Sequence, residues 1–204
     1  LSPDEVALKW DGDRLKELVA RRIEVSANGT LSDVFDDGDV TAGKSILDYM
    51  AERTMLRPRD MIQFCVFARE MAIQLGMFKI NNESIQKAKF LYSDYMRKEI
   101  QDESKALEHD IGMLFEILRE VGSDTVNKKT FLRKCRLRDI SNEETALQQL
   151  IDLSVLGLHR ATVRDDHSQE VLYRYSTSLW DHLEPLADTY FVHPSLKPEL
   201  RLEK

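Results

Sequence analysis

Arg53-Thr54-Met55-Leu56-Arg57-Pro58-Arg59-Asp60-Met61-Ile62-Gln63-Phe64 is the stretch from which the rest of the chain can be read. Pro58 suits the first position of a helix, where its missing N–H has no intrahelical partner to lose and its fixed φ is already helical. A helix is therefore expected from Pro58 to Gly76. Met61, Ile62, Cys65, Ala68, Met71, Ala72 and Leu75 recur at three- and four-residue steps and give it one apolar face. Arg53, Arg57 and Arg59 crowd the place where that face begins. Each guanidinium is a planar fork of donors that matches phosphate or carboxylate oxygens, so this mouth suits an anion or an acidic surface. The competing reading is that the arginines pair with carboxylates of their own chain.

Outward from this helix the sequence is that of a globular chain. It has 204 residues, 42% of them hydrophobic and 8% aromatic, with a net charge of −7. That charge argues against general nucleic-acid binding by the whole chain but leaves room for a local basic patch. No apolar run is long enough to cross a membrane, and Leu1-Ser2-Pro3-Asp4-Glu5 has no character of a signal peptide, so a cytoplasmic protein is expected. Cys65 and Cys135 each fall in an amphipathic helical pattern and read as reduced core thiols. His109, His159, His167, His182 and His193 show no metal-ligand spacing, so no metal is assigned.

Ser2, Pro3, Asp4 and Glu5 read as the start of a first helix whose stripe is Leu8, Leu15, Leu18, Val19 and Ile23. A loop rich in Ser, Asn, Gly and Asp follows from Ser26 to Ala42. Gly38-Asp39-Val40-Thr41-Ala42-Gly43-Lys44-Ser45 then satisfies the letters of the phosphate-binding pattern G-x-x-x-x-G-K-[ST]. A true phosphate loop follows a buried strand, whereas Leu31 to Asp37 is polar and acidic. The stretch therefore reads as a loop leading into a helix from Lys44 to Met55, and an independent enzyme ranks last among the functions. Asn81 and Asn82 cap a helix running to about Glu103, with Ile85, Ala88, Tyr92, Tyr95, Met96 and Ile100 on one side.

The second half changes character at Ser104. Leu107, Ile111, Leu114, Leu118 and Val121 lead to Gly122, a C-cap. Asn127 caps a helix carrying Phe131, Leu132 and Cys135. Ser141 with Glu144 reads as a capping box before Ala146, Leu147, Leu150, Ile151 and Val155, in a helix ended by Gly157. Leu158–Val163 and Val171–Ser176 read as two short strands joined by the polar turn from Arg164 to Glu170. Three helices and a hairpin are the order of a winged helix. Lys128, Lys129, Arg133, Lys134, Arg136 and Arg138 place six positive charges within eleven residues and could hold a nucleic-acid backbone. Carboxylates open the next helix at Glu143 and Glu144 and would be repelled by phosphates, so a docked or solvated face is favoured. Trp180, Leu183, Leu186, Tyr190, Phe191 and Val192 are too apolar to leave in water, so the tail is expected to pack back on the bundle.

The run Arg-Thr-x-x-Arg-Pro-Arg-Asp with its apolar helix, the segment from Ile85 to Tyr92-Ser93, and the tail Tyr190-Phe191-Val192-His193-Pro194 together resemble the C-terminal region of a family of bacterial P-loop ATPases of the STAND and AAA-like type. The resemblance implies a helical lid and a winged helix without their motor, and the abrupt opening at Leu1 suits a fragment boundary. The expected fold is thus mainly α: an α-helical bundle over residues 1–103, a winged-helix domain with a small β-hairpin over 104–178, and a tail over 179–204. The resemblance further implies that Arg53, Arg57 and Arg59 sense ATP bound in an upstream domain of the same polypeptide. No cofactor is expected in this chain itself. A homo-oligomer is compatible with such a role, and nucleic acid ranks below protein as a partner.

Overall fold

The computed structural model describes residues 10–36, 40–41, 43–159, 171–176 and 187–203. Several sequence expectations lie outside the described residues: the Ser2 to Glu5 helix start and Leu8, Gly38, Asp39 and Ala42 of the glycine pattern, the Arg164 to Glu170 turn, and Trp180, Leu183 and Leu186. The chain is mainly helical with a small antiparallel sheet, and it divides into two compact units at Lys89 and Phe90. Among the described residues no helix is long and apolar enough to cross a membrane.

The first unit is built on α1 (Gly12–Ala27), α3 (Ile46–Ala51) and α4 (Pro58–Gln74), with α1 packed against both of the others. The first described helical turn is capped by Asp11, whose side chain accepts the Arg14 backbone N–H at 2.8 Å. Leu15 and Val19 form its buried side. A single turn, α2 (Leu31–Val34), leads to Phe35, which bridges in parallel to Ile80. The helix α3 is shorter than the expected span from Lys44 to Met55, because Lys44 and Ser45 form strand β2, paired with β1 (Val40–Thr41). Pro58 does open α4, with Met61, Phe64, Ala68 and Ala72 buried along it. Phe64, absent from the expected stripe, is its largest fully buried side chain.

The helix α5 (Asn82–Glu103) runs through the division between the units. Asn81 caps it reciprocally with Ser84: the Ser84 N–H donates to Asn81 Oδ1, and the Asn81 N–H donates to Ser84 Oγ, each at 3.0 Å. The expected boundary at residue 103 falls at the end of this helix. The observed division is earlier because Ser93 and Arg97 are tied to Glu199 at the far end of the second unit.

In the second unit α6 (Ile111–Val121), α7 (Lys128–Leu137) and α8 (Glu143–Asp152) pack on one another. Gly122 takes the left-handed conformation as the C-cap of α6, and Asn127 caps α7 by accepting the Thr130 N–H at 3.3 Å. Ser141 is not the cap; Asn142, at φ +55°, stands at the N-cap of α8 without a side-chain bond to the helix, its amide donating instead to Glu108 at 2.9 Å. The box fails because the helix starts one residue later, at Asn142, and the glutamate it needs, Glu144, is drawn to Lys128. Gly157 does not end α8 either. It lies in β4 (Leu156–His159), where a Cβ would sit 2.6 Å from Tyr173 Cε1.

The sheet order is β3-β6-β4-β5, antiparallel throughout, with β3 at Thr125–Asn127, β5 at Val171–Leu172 and β6 at Thr189–Val192. The expected hairpin is present as β4 and β5, with Leu158 opposite Leu172, although β5 stops at Leu172 and gives way to a 3-10 turn at Arg174–Ser176. The tail supplies β6, which enters the sheet between β3 and β4 and buries Tyr190 and Val192.

Candidate functional site

The three arginines gather where α3 ends and α4 begins, but they are held differently. Thr54 Oγ donates to the Ala51 carbonyl at 2.8 Å and is buried, which pins the connecting turn. Leu56 takes φ +51° within it. Arg53 folds back so that its guanidinium lies 3.5 Å from the Tyr49 ring centroid, a cation–π contact, and it donates to the Tyr49 carbonyl at 3.4 Å. Arg57 is the half-buried N-cap of α4. Arg59, in the first turn, is the most accessible of the three, its side chain 58% exposed, with Nε 3.7 Å from Oδ1 of the fully buried Asp60. The positive end of the helix dipole and three guanidiniums share this corner, an arrangement that can bind anionic oxygen.

The glycine pattern is placed quite otherwise. Gly43 sits at φ +78° in the turn of the β1–β2 hairpin, and Lys44 lies on a strand, not at the mouth of a helix. Lys44 Nζ is paired with Glu52, and Ser45 Oγ caps α3 through the Asp48 N–H while donating to the Asp48 carboxylate at 2.5 Å. Lys16 also reaches Asp48, at 2.7 Å. That hydrogen bond, followed by the one from Ser45, holds the Asp48 carboxyl below its ordinary range. A cavity of about 650 Å³ opens here, but Asp11, Asp13, Asp48 and Glu52 outnumber Lys16 and Lys44 in its lining. A triphosphate would be repelled.

The basic run on α7 is brought together and then largely neutralised. Lys128 pairs with Glu144 at 2.9 Å, Lys134 with Glu120 at 3.7 Å, Arg136 with Glu143 at 2.6 Å, and Arg138 with Glu120. Arg138, the nearest cation, holds the Glu120 carboxyl below the usual range; for Glu143 the larger cause is its own backbone N–H and the second is Arg136. Lys129 and Arg133 are exposed and have no such pair among the described residues.

One cluster went unread in the sequence. His193 is fully buried, with Nδ1 2.7 Å from Ser195 Oγ and 3.2 Å from the Ser195 backbone nitrogen, while Nε2 faces the Tyr175 hydroxyl at 3.0 Å. A backbone N–H can only donate, so Nδ1 accepts and the proton of a neutral ring sits on Nε2. A serine beside a histidine has the outline of a nucleophile and its base. Both side chains are sealed from solvent, however, and the pair closes the turn that leaves β6. Its only trace in the sequence is the spacing His193-Pro194-Ser195. Among the described residues no group of three or more His, Cys, Asp or Glu side chains could hold a metal ion, and Cys65 and Cys135 are free thiols.

Set beside known proteins, residues 13–101 match the family model described as the FunZ-associated C-terminal helical domain. The match takes in α1 to α5, with the arginine corner at its middle, and likens this part of the chain to a C-terminal helical domain. No curated protein and no solved structure matches the chain.

Proposed function

We propose that the chain is the regulatory and interaction region of a cytoplasmic P-loop ATPase, a helical lid followed by a winged-helix module, which couples nucleotide state to conformation or partner contacts and does no chemistry of its own. The observation that carries this reading is the arginine corner at the start of α4, set within a stretch that matches a C-terminal helical domain. Arg53 is committed to Tyr49 and Arg57 is half-buried, so Arg59, the most exposed of the three although it lies beside Asp60, is the sensing side chain. A guanidinium there binds a triphosphate of the upstream domain more strongly than a diphosphate, and only such a difference in affinity can shift a lid between two positions. The sequence of α6, β3, α7, α8 and the β4–β5 hairpin supports the winged-helix part. The nucleic-acid reading keeps one observation in its favour, the exposed Lys129 and Arg133, against four basic neighbours already balanced by carboxylates.

The test is ATP hydrolysis by the chain alone, as wild type and as Lys44→Ala. No turnover above background is expected from either. Hydrolysis that disappears with Lys44→Ala would overturn the reading and restore the glycine pattern as a catalytic loop.

A further inference from the structure

The first unit holds a second cavity, of about 440 Å³, walled by Val19 and Ile23 of α1, Val34 and Phe35 at the end of α2, Ile62 of α4, and Ile80. That volume lies in the range of small-molecule sites. The walls come from separate elements that form a half-open groove with both arginines exposed, which distinguishes the cavity from a stripe along a single helix. Its charged lining consists of Arg22 and Arg69, one on each of the two long helices.

These two arginines differ from the others of their unit. Arg14 is paired with Asp11 and Arg21 with Glu24; Arg53 lies on Tyr49, Arg59 beside Asp60, and Arg57 also has a partner. Arg22 and Arg69 alone, among the described arginines of that unit, have no side-chain hydrogen bond or ion pair, and both line one apolar cavity in a chain of net charge −7. Cys65 contributes to the wall, and burial pushes its thiol up to about 12, so it stays protonated at neutral pH and offers no nucleophile.

We propose that this cavity binds a small amphipathic anion reversibly, its apolar body between α1 and α4 and its carboxylate held between Arg22 and Arg69. Guanidinium forks bind a carboxylate by charge-assisted hydrogen bonds, and the apolar walls contribute in proportion to the area they remove from water. The carboxylate-lined cavity around Lys44 could not hold such a ligand, since its charge has the wrong sign.

The experiment is a fluorescence titration of the full chain with 1-anilinonaphthalene-8-sulfonate, followed by displacement with decanoate or decylamine. Saturable binding is expected, reversed by decanoate and not by decylamine. Arg22→Gln with Arg69→Gln should weaken it about tenfold, as loss of charge-assisted bonds does, while Arg22→Lys with Arg69→Lys retains most of it and circular dichroism is unchanged in both. Equal displacement by decylamine, or full binding by the double glutamine chain, would overturn the proposal by showing a merely apolar surface. A dimer in sedimentation that the glutamine substitutions disperse would assign the groove to a second copy, and would overturn it too.

Discussion

The start of α4 and the length of α7 are both cation clusters, and the sequence offers each as an anion site. They differ in what lies opposite. On α7 the glutamates come from the neighbouring helices: Glu120 from α6, Glu143 and Glu144 from the first turn of α8. At α4, Arg53 leans on an aromatic ring and Arg59 on one buried carboxylate, while Arg57 is itself the half-buried N-cap. The first arrangement cancels charge over a surface, and the second concentrates it at one corner. A count of basic residues, six against three, does not show this difference.

Both clusters depend on helices anchored by a buried aromatic, Phe64 in α4 and Phe131 in α7, each with no exposed surface. Phe64→Ala and Phe131→Ala should each cost about 3–5 kcal/mol in denaturant unfolding. A loss below about 1 kcal/mol for either would mean that its helix is held by something other than packing. The contrast in charge is sharpened by Glu120→Gln, Glu143→Gln and Glu144→Gln together. Exposing the basic run should raise affinity for duplex DNA about tenfold at low salt and steepen its salt dependence, at little cost in stability because the pairs are on the surface. Unchanged binding would show that the glutamates do not mask α7.

At the other cluster, Arg53→Ala removes the contact with Tyr49 and should cost about 0.5–1 kcal/mol. The smallest effect concerns pH. The Glu120 carboxyl is held below its ordinary value by Arg138, so its contribution is complete once the pH is well above the unfolded glutamate value, and is lost as the pH falls through the lower folded value. A carbon-detected NMR titration should place its midpoint below that of a free glutamate, and Arg138→Gln should move the midpoint upward.

Local signals were legible wherever a single turn decides the outcome. Pro58 at the start of α4, Asn127 before α7 and Gly122 after α6 act through backbone geometry and bonds to residues three or four away. The same reasoning failed at Ser141, because its capping box assumed a free Glu144, and at Gly157, where a helix stop was inferred and a close approach to Tyr173 was the real demand. Both failures involve partners distant in the chain. The arginine corner was visible as composition, but that Arg53 would turn onto Tyr49 while Arg59 lay exposed beside Asp60 was not.

By itself, then, the sequence determined that this is a mainly helical chain, where α4, α5 and α7 begin, where α5 and α6 end, and much of their buried stripes, because periodicity and capping are short-range physics. Only the tertiary structure decided that the tail strand β6 enters between β3 and β4, that α7's cations meet glutamates, and that His193 is sealed against Ser195 and Tyr175. Strand order and ion pairing depend on which distant segments arrive side by side, and no local pattern along the chain encodes that.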